Sequence, residues 1–280
     1  MDLIRRFWRK LVIATSAPII LADFFSAGEE YRISCIARMV LIWRMWRNTK
    51  TIETHSSFIE HLTMATQILK VPRDVEGCVV ECGSYKGGSA ANLSLICAAC
   101  GRELEIFDSF RGLPRPSDHD QQHVLMSGSA LHTYAEGSFG GTLAEVKDNI
   151  SRCGDLSVCK FNVGYFAETL PHFRRKCVLV FADVDLVDSL KTCLEYLWPL
   201  LPESCCFFTH EARHLEISYV FFDEEWWSPH VGSHAPGLIG AGSGLGLHPA
   251  AGGFYSDLGF TIKNPAIRGF RIEPQVGTLS

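Results

Sequence analysis

Cys78-Val79-Val80-Glu81-Cys82-Gly83-Ser84-Tyr85-Lys86-Gly87-Gly88-Ser89 runs from five residues suited to a buried strand into a glycine-rich turn. The run Cys78–Cys82 predicts a strand and Gly87–Ala99 a helix behind it. Leu104–Asp108 repeats the strand signal and leads into Ser109 and Phe110. One strand–helix–strand unit thus separates Glu81 from Asp108, 27 residues apart. The alternation continues with a helix over Thr142–Arg152, where Thr142 and Glu145 have capping-box spacing, and a strand over Ser157–Val163. Val178–Asp183 is a very apolar strand, Asp188–Leu200 a helix and Ser204–Thr209 another buried strand. Glu211–Trp227 is at least partly helical, and Leu258–Lys263 with Arg268–Glu273 suits a closing hairpin. Such alternation implies right-handed crossovers and a doubly wound, mostly parallel α/β sheet with helices on both faces. Upstream, Phe58, Ile59, Leu62, Ala65, Ile68 and Leu69 recur at helical spacing from Ser57 to Lys70, and Pro72 ends that helix.

The whole chain, 280 residues with 47% hydrophobic and 20% charged residues, supports a sizeable core and excludes disorder as its main state. Its formal charge of −5, from 26 Lys+Arg against 31 Asp+Glu, argues against a broad nucleic-acid-binding surface. The eleven cysteines are odd in number and scattered, with Cys78, Cys82, Cys97, Cys193, Cys205 and Cys206 inside apolar runs. That pattern fits buried free thiols in a reducing, cytoplasmic compartment. Cys97-Ala-Ala-Cys100 falls inside a helix and lacks a second pair, so it reads as small buried residues.

Residues 1–50 stand apart from residues 51–280, with nine Lys/Arg against four Asp/Glu. Leu11–Ala22 follows Arg5, Arg6, Arg9 and Lys10 but is too short to span a bilayer, and Pro18 and Asp23-Phe24-Phe25 make a poor secretory signal. Met39, Leu41, Ile42, Trp43, Met45 and Trp46 sit among Arg38, Arg44 and Arg47. Three readings of this basic, aromatic helical segment stay open: peripheral membrane contact, a cap on the main domain or a partner subunit, and a packing helix with snorkelling arginines. Homo-oligomerisation is likewise open.

In an open parallel sheet, ligands bind beyond the carboxyl ends of the strands, where strand order reverses. Glu81 places a carboxylate there that suits an ammonium group and repels a pyrophosphate, and Asp108 suits ribose hydroxyls. The turn matches neither Gly-x-Gly-x-x-Gly nor a phosphate loop. A nucleoside with a cationic tail satisfies both carboxylates. Val163-Gly164-Tyr165-Phe166 offers aromatics to flank a purine, against the alternative of core aromatics at a turn. Asp183, Asp185, His210 and Glu211 follow the next two strands. Asp183, His210 and Glu211 are candidate metal ligands, for which a histidine shifts preference from magnesium towards manganese, iron or zinc. Two long loops, Ser109–Gly141 and Ser228–Gly253, are the length of lids or binding loops.

Taken together, these stretches resemble the macrocin O-methyltransferase family, a branch of the class I S-adenosylmethionine-dependent methyltransferases that methylates sugar hydroxyls in antibiotic biosynthesis. The matching residues are Val79–Ala90, Phe107–Pro114, Glu145–Ile150, Gly164–Pro171 and Asp183–Leu186. The resemblance implies a seven-stranded Rossmann-like sheet over residues 51–280 and methyl transfer from S-adenosylmethionine to a hydroxyl of a small molecule. It implies that Glu81 and Gly83, with Ser84 and Ser89 in the same turn, meet the methionine part. Asp108, with Ser109 beside it, takes the ribose, and Phe110, Gly164, Tyr165 and Phe166 lie near the adenosine part. Asp183 matches the family's first metal-ligand aspartate, for Mg or Mn. The family's usual pair of adjacent aspartates is replaced here by His210-Glu211. Asp185 is the first candidate base, and His132 in the presumed lid the second.

Rival readings remain. His210-Glu211-Ala212-Arg213-His214 matches His-Glu-x-x-His, but the extended zinc-peptidase pattern is absent. An inactive cofactor-binding scaffold associated with a membrane or partner, and a nicotinamide dehydrogenase or nucleotide-sugar enzyme, are the others.

Overall fold

The computed structural model describes residues 18–118, 120, 122–124, 130–242, 244, 256–264 and 266. Residues 1–17, the expected strand Arg268–Glu273 and part of the glycine-rich stretch 240–246 lie outside the described residues.

The main sheet contains β1 (Cys78–Cys82), β2 (Leu104–Asp108), β5 (Cys159–Val163), β6 (Cys177–Ala182), β7 (Cys206–Thr209) and β8 (Gly259–Ile262). Its order is β5-β2-β1-β6-β7-β8, and only the β7–β8 pair is antiparallel. The sequence signal for β1 and β2 matches these bounds residue for residue. Six strands replace the expected seven among the described residues. Beyond β8, Ile239 pairs with Phe260 in a single antiparallel bridge, without a strand around it. Every residue of β1, β6 and β7 is buried, as strands covered on both faces require.

The helices are α1 (residues 18–26), α2 (Cys35–Thr51), α3 (Phe58–Lys70), α4 (Gly88–Cys100), α5 (Leu143–Cys153), α6 (Phe166–Thr169), α7 (Val187–Leu197), α8 (Leu215–Val220) and α9 (Glu224–Val231). Helices α2 to α5 pack together as one group and α6 to α9 as another. The loop Ser109–Gly141 contains a small hairpin of β3 (Gln122–Val124) and β4 (Ala130–Thr133), and β3 packs on α8. Buried Asp120, from the same loop, accepts a 2.7 Å bond from the Val187 amide and so satisfies a donor in the first turn of α7.

Helix α2 shares the main core through Leu41 and Met45. A buried polar chain ties it to α4 and α3: Asn48 donates to Asn92 (2.9 Å), Asn92 donates to His61 Nδ1 (2.8 Å), and His61 Nε2 meets Ser56 Oγ (2.7 Å). Burial pushes His61 down to about 4, so the ring is neutral, accepting at Nδ1 and donating at Nε2. This network fixes α3, whose Glu60 reaches the crevice described next.

All eleven cysteines are free; ten are buried and Cys35 is exposed. Burial pushes the Cys97 thiol well above its ordinary value and Cys100 to about 12, consistent with inert packing groups.

Candidate functional site

Strand order reverses between β1 and β6, and a cavity of about 270 Å³ opens there, at the carboxyl ends of the strands. The sharp exit of β1 makes this possible. Gly83 has φ +85°, and a Cβ on it would stand 1.9 Å from the Asp183 carbonyl oxygen. The backbones of the two strand tips therefore close on each other at a contact that no other residue allows.

Glu81, just inside this turn, is wholly buried, and the Ser89 hydroxyl beside it makes no hydrogen bond of ordinary geometry to either carboxylate oxygen. Burial pushes its carboxyl up to about 8; the Ser89 hydroxyl opposes this, and the charges of Asp183 and Asp108 add to it. Such a group is expensive unless a cation or a donor reaches it. Asp108, at the tip of neighbouring β2, is the opposite case. Its Oδ2 accepts from the Ser84 amide (2.6 Å) and hydroxyl (2.9 Å), and its Oδ1 accepts from the Phe110 amide (2.7 Å). The carboxylate is held in one orientation at the cavity wall.

The sequence candidates separate cleanly. Gly83, Ser84, Ser89, Asp108, Ser109, Tyr165, Phe166, Asp183, Asp185, His210 and Glu211 all line the cavity. Glu81 lies behind the lining. Phe110 turns into the core beside Phe161 (6.3 Å between ring centroids). Gly164 shapes the β5 exit, donating its amide to the Asp108 carbonyl (3.0 Å). Ser109 Oγ donates to the Gly112 carbonyl (2.7 Å) and holds the next turn. His132 belongs to β4, and its side chain is outside the described residues.

Asp183, His210 and Glu211 do converge: one ligand atom from each lies within 4.8 Å of the others. His210 Nδ1 stands 3.5 Å from Asp183 and 3.9 Å from Glu211, and Nε2 stands 3.7 Å from Glu60. Burial alone would lower His210; the charges of Asp183, Glu60 and Glu211 instead hold it well above its ordinary value. Glu60 answers in kind. Burial alone would raise it, but the His210 charge and the bonds from Ser57 hold it at about 2. Glu211 is pushed well up by burial and by Asp183 and Asp185. The ligand-free cluster therefore favours the protonated forms of His210 and Glu211, and a cation entering among them would compete with those protons. The buried Glu211 Oε1 oxygen, 3.9 Å from His210 Nδ1, is placed to receive such a cation.

Glu60 escaped the sequence reading. Its spacing from Ser57 is a capping-box signal, and the box is formed. The same carboxylate also accepts from the Asp257 amide (2.9 Å) and faces His210, contacts that no local pattern announces. Tyr134 is a second addition: its phenol hydrogen-bonds to Asp185, and burial with that neighbouring charge pushes it up. At the mouth, His55, Tyr85 and Phe139 cluster with centroids 5.4 to 6.2 Å apart.

The model of the macrocin-O-methyltransferase (TylF) family matches residues 53–208. The chain belongs to the macrocin-O-methyltransferase family. Among solved structures it is similar in fold to the O-methyltransferase NovP, at 17% identity over 74% of this chain and 80% of that one, with a TM-score of 0.55. It is also similar to CalS11, a calicheamicin methyltransferase, at 16% identity over 82% of this chain and 93% of that one, with a TM-score of 0.54. No curated protein matches the chain in sequence.

The family match includes the β1 turn, the β2 tip and Asp183, and stops just before His210 and Glu211. His210 and Glu211 thus lie outside the match to the macrocin-O-methyltransferase family. His210 directly follows β7 and His214 precedes α8, so the pair does not share a helix as a His-Glu-x-x-His zinc site requires.

Proposed function

We propose that this macrocin-O-methyltransferase family member moves a methyl group from S-adenosylmethionine to a hydroxyl of a small sugar or glycosylated metabolite. The observation that carries the reading is the buried Glu81 carboxylate, with the Ser89 hydroxyl beside it, behind a cavity whose wall at the neighbouring β2 tip holds the fixed Asp108. A ligand with an ammonium at one end and a ribose at the other answers both groups. The described residues lining the cavity include six carboxylates (Glu53, Asp108, Asp183, Asp185, Glu211 and Asp257) and no lysine or arginine. That charge favours a sulfonium nucleoside and disfavours the pyrophosphate of a dinucleotide, which counts against the dehydrogenase reading.

When bound, the sulfonium supplies an electrophilic methyl carbon. An in-line displacement forms the new O–CH₃ bond, breaks the S–CH₃ bond and returns its electron pair to sulfur. The chain's own residues do the rest. Gly83 and Ser84 bring backbone to the ligand, and Asp108 orients the ribose; alignment of this kind supplies of order 7–11 kcal/mol in favourable intramolecular models. Asp185, steadied by Tyr134, receives the hydroxyl proton. The rings of His55, Tyr85, Tyr134 and Phe139 give the acceptor's apolar faces a surface at the mouth.

Asp183, His210 and Glu211 fit a divalent metal in number and spacing. They would hold it through two carboxylates and His210 Nδ1, leaving Nε2–H directed at Glu60, the second-shell arrangement that orients ligating histidines. Such an ion would acidify and orient the acceptor hydroxyl. One histidine among oxygens favours Mn over Mg. The buried free thiols suit a reducing, cytoplasmic setting.

Isothermal titration of the purified chain with S-adenosylmethionine, followed by labelled methyl transfer to a panel of glycosylated acceptors, tests the reading. Asp183→Ala should retain cofactor binding and lose transfer. Absence of binding at about millimolar ligand would remove the basis of the proposal.

A further inference from the structure

Helix α2 has two apolar faces. Leu41 and Met45 point into the core, flanked by Arg38 and Asn48, whose polar atoms are satisfied inside. Arg38 donates to the Phe24 and Ala27 carbonyls, and Asn48 to Asn92 and the Cys153 carbonyl. The opposite face carries Ile36, Met39, Val40, Trp43 and Trp46, between 49% and 71% exposed. At 3.6 residues per turn these five, with the exposed Arg47 and Lys50, fall within an arc of about 120°. Amphipathic surface helices put polar residues there. Here a contiguous apolar stripe with two tryptophans faces water, which marks an interaction surface.

Charge selects the partner. Cys35–Thr51 contains no Asp or Glu, and of its four Lys/Arg, Arg47 and Lys50 stand on this face while Arg38 and Arg44 donate to backbone carbonyls. The Arg47 guanidinium lies over the Trp43 ring, 5.5 Å from its centroid, so cation and aromatic are presented as one unit. Residues 51–280 carry a formal charge of −10, so an anionic surface repels the main domain and attracts this face. A second copy of the chain would bring an equally acid-free helix against it. No helix among the described residues is long and apolar enough to cross a membrane, so α2 would lie flat.

We propose that the outer face of α2 docks the enzyme on an anionic lipid surface, with Trp43 and Trp46 at headgroup depth and Arg47 and Lys50 on the phosphates. The enzyme is then held at a bilayer, where an acceptor that partitions into the membrane is concentrated.

Flotation of the full-length protein with vesicles tests this. Phosphatidylcholine vesicles containing a minority of phosphatidylserine should carry the protein, and pure phosphatidylcholine should not. Arg47→Ala and Lys50→Ala should each lower partitioning about fivefold, the equivalent of roughly 1 kcal/mol per basic side chain. Trp43→Ser combined with Trp46→Ser should lower it roughly tenfold or more. These side chains touch neither core nor cavity, so the variants should retain S-adenosylhomocysteine binding, which separates lost docking from lost folding. Three results would overturn the proposal: no flotation with anionic vesicles, equal flotation with neutral ones, or flotation untouched by the α2 variants. A concentration-dependent dimer of the wild-type chain, abolished by the tryptophan variants and accompanied by no lipid binding, would assign the face to a second copy instead.

Discussion

His210 Nε2 stands 3.7 Å from the Glu60 carboxylate, so a residue on the N-terminal α3 secures a side chain at the end of β7, 150 positions later. Both groups are buried. Removing one partner of such a pair leaves the other charge uncompensated, at about 3–5 kcal/mol.

Glu60→Gln should therefore lower the free energy of unfolding by an amount close to that range, whereas Glu60→Asp should recover part of it. Equilibrium urea unfolding measures both. A loss below about 1 kcal/mol would mean that water or relaxation replaces Glu60 beside His210.

Asp108→Ala removes an acceptor that receives three bonds and leaves the Ser84 amide without its partner. Hydrogen bonds to a charged group contribute about 1.5–3 kcal/mol, so affinity for S-adenosylhomocysteine should fall about 10- to 100-fold by calorimetry. Unchanged affinity would place the ribose elsewhere.

Glu81 supplies a pH signature. Its folded value of about 8 lies above the ordinary carboxylate range, so the ligand-free fold prefers the protonated form while the unfolded chain ionises first. The ligand-free protein should lose stability as pH rises from about 4.5 towards 8. A ligand ammonium favours the ionised form, so S-adenosylhomocysteine should bind more tightly as pH rises towards 8. Glu81→Gln should flatten the dependence. Titration in buffers of different ionisation enthalpy should show proton release in wild type and its absence in the variant.

Gly83→Ala meets two penalties at once. The left-handed conformation costs an alanine about 1–2 kcal/mol, and its Cβ would stand 1.9 Å from the Asp183 carbonyl oxygen. The variant should melt lower and lose cofactor affinity together. Retained affinity in a less stable protein would show that the turn can widen without disturbing the crevice.

The sequence makes the parallel half of this protein readable for a physical reason. β1 and β2 are short, mostly apolar runs, interrupted by Glu81 in one and by Glu105 and Asp108 in the other and bounded by turn residues, and both bounds agree with the structure. The tip residues follow automatically, because a doubly wound sheet sends every strand end to one edge. Long-range contacts were not legible. The capping-box spacing of Ser57 and Glu60 predicts a helix start, but nothing local says that the carboxylate also meets His210. The hairpin β3–β4 hides in a loop without clear alternation, and the Ile239–Phe260 bridge lies in a loop where the sequence announces no strand. Phe110 sits in a matching motif yet packs inward, since position within a turn does not fix which way a ring points.

Ten of the eleven thiols are sealed inside, and the remaining one, Cys35, opens α2. The native chain thus offers a single point of attachment for a fluorophore or spin label, with no cysteine needing to be removed first. An alkylating reagent should consume one equivalent before denaturation and eleven after it. A reporter placed there would sit at the start of the helix whose outer face is exposed, far from the chemistry at the strand tips in sequence.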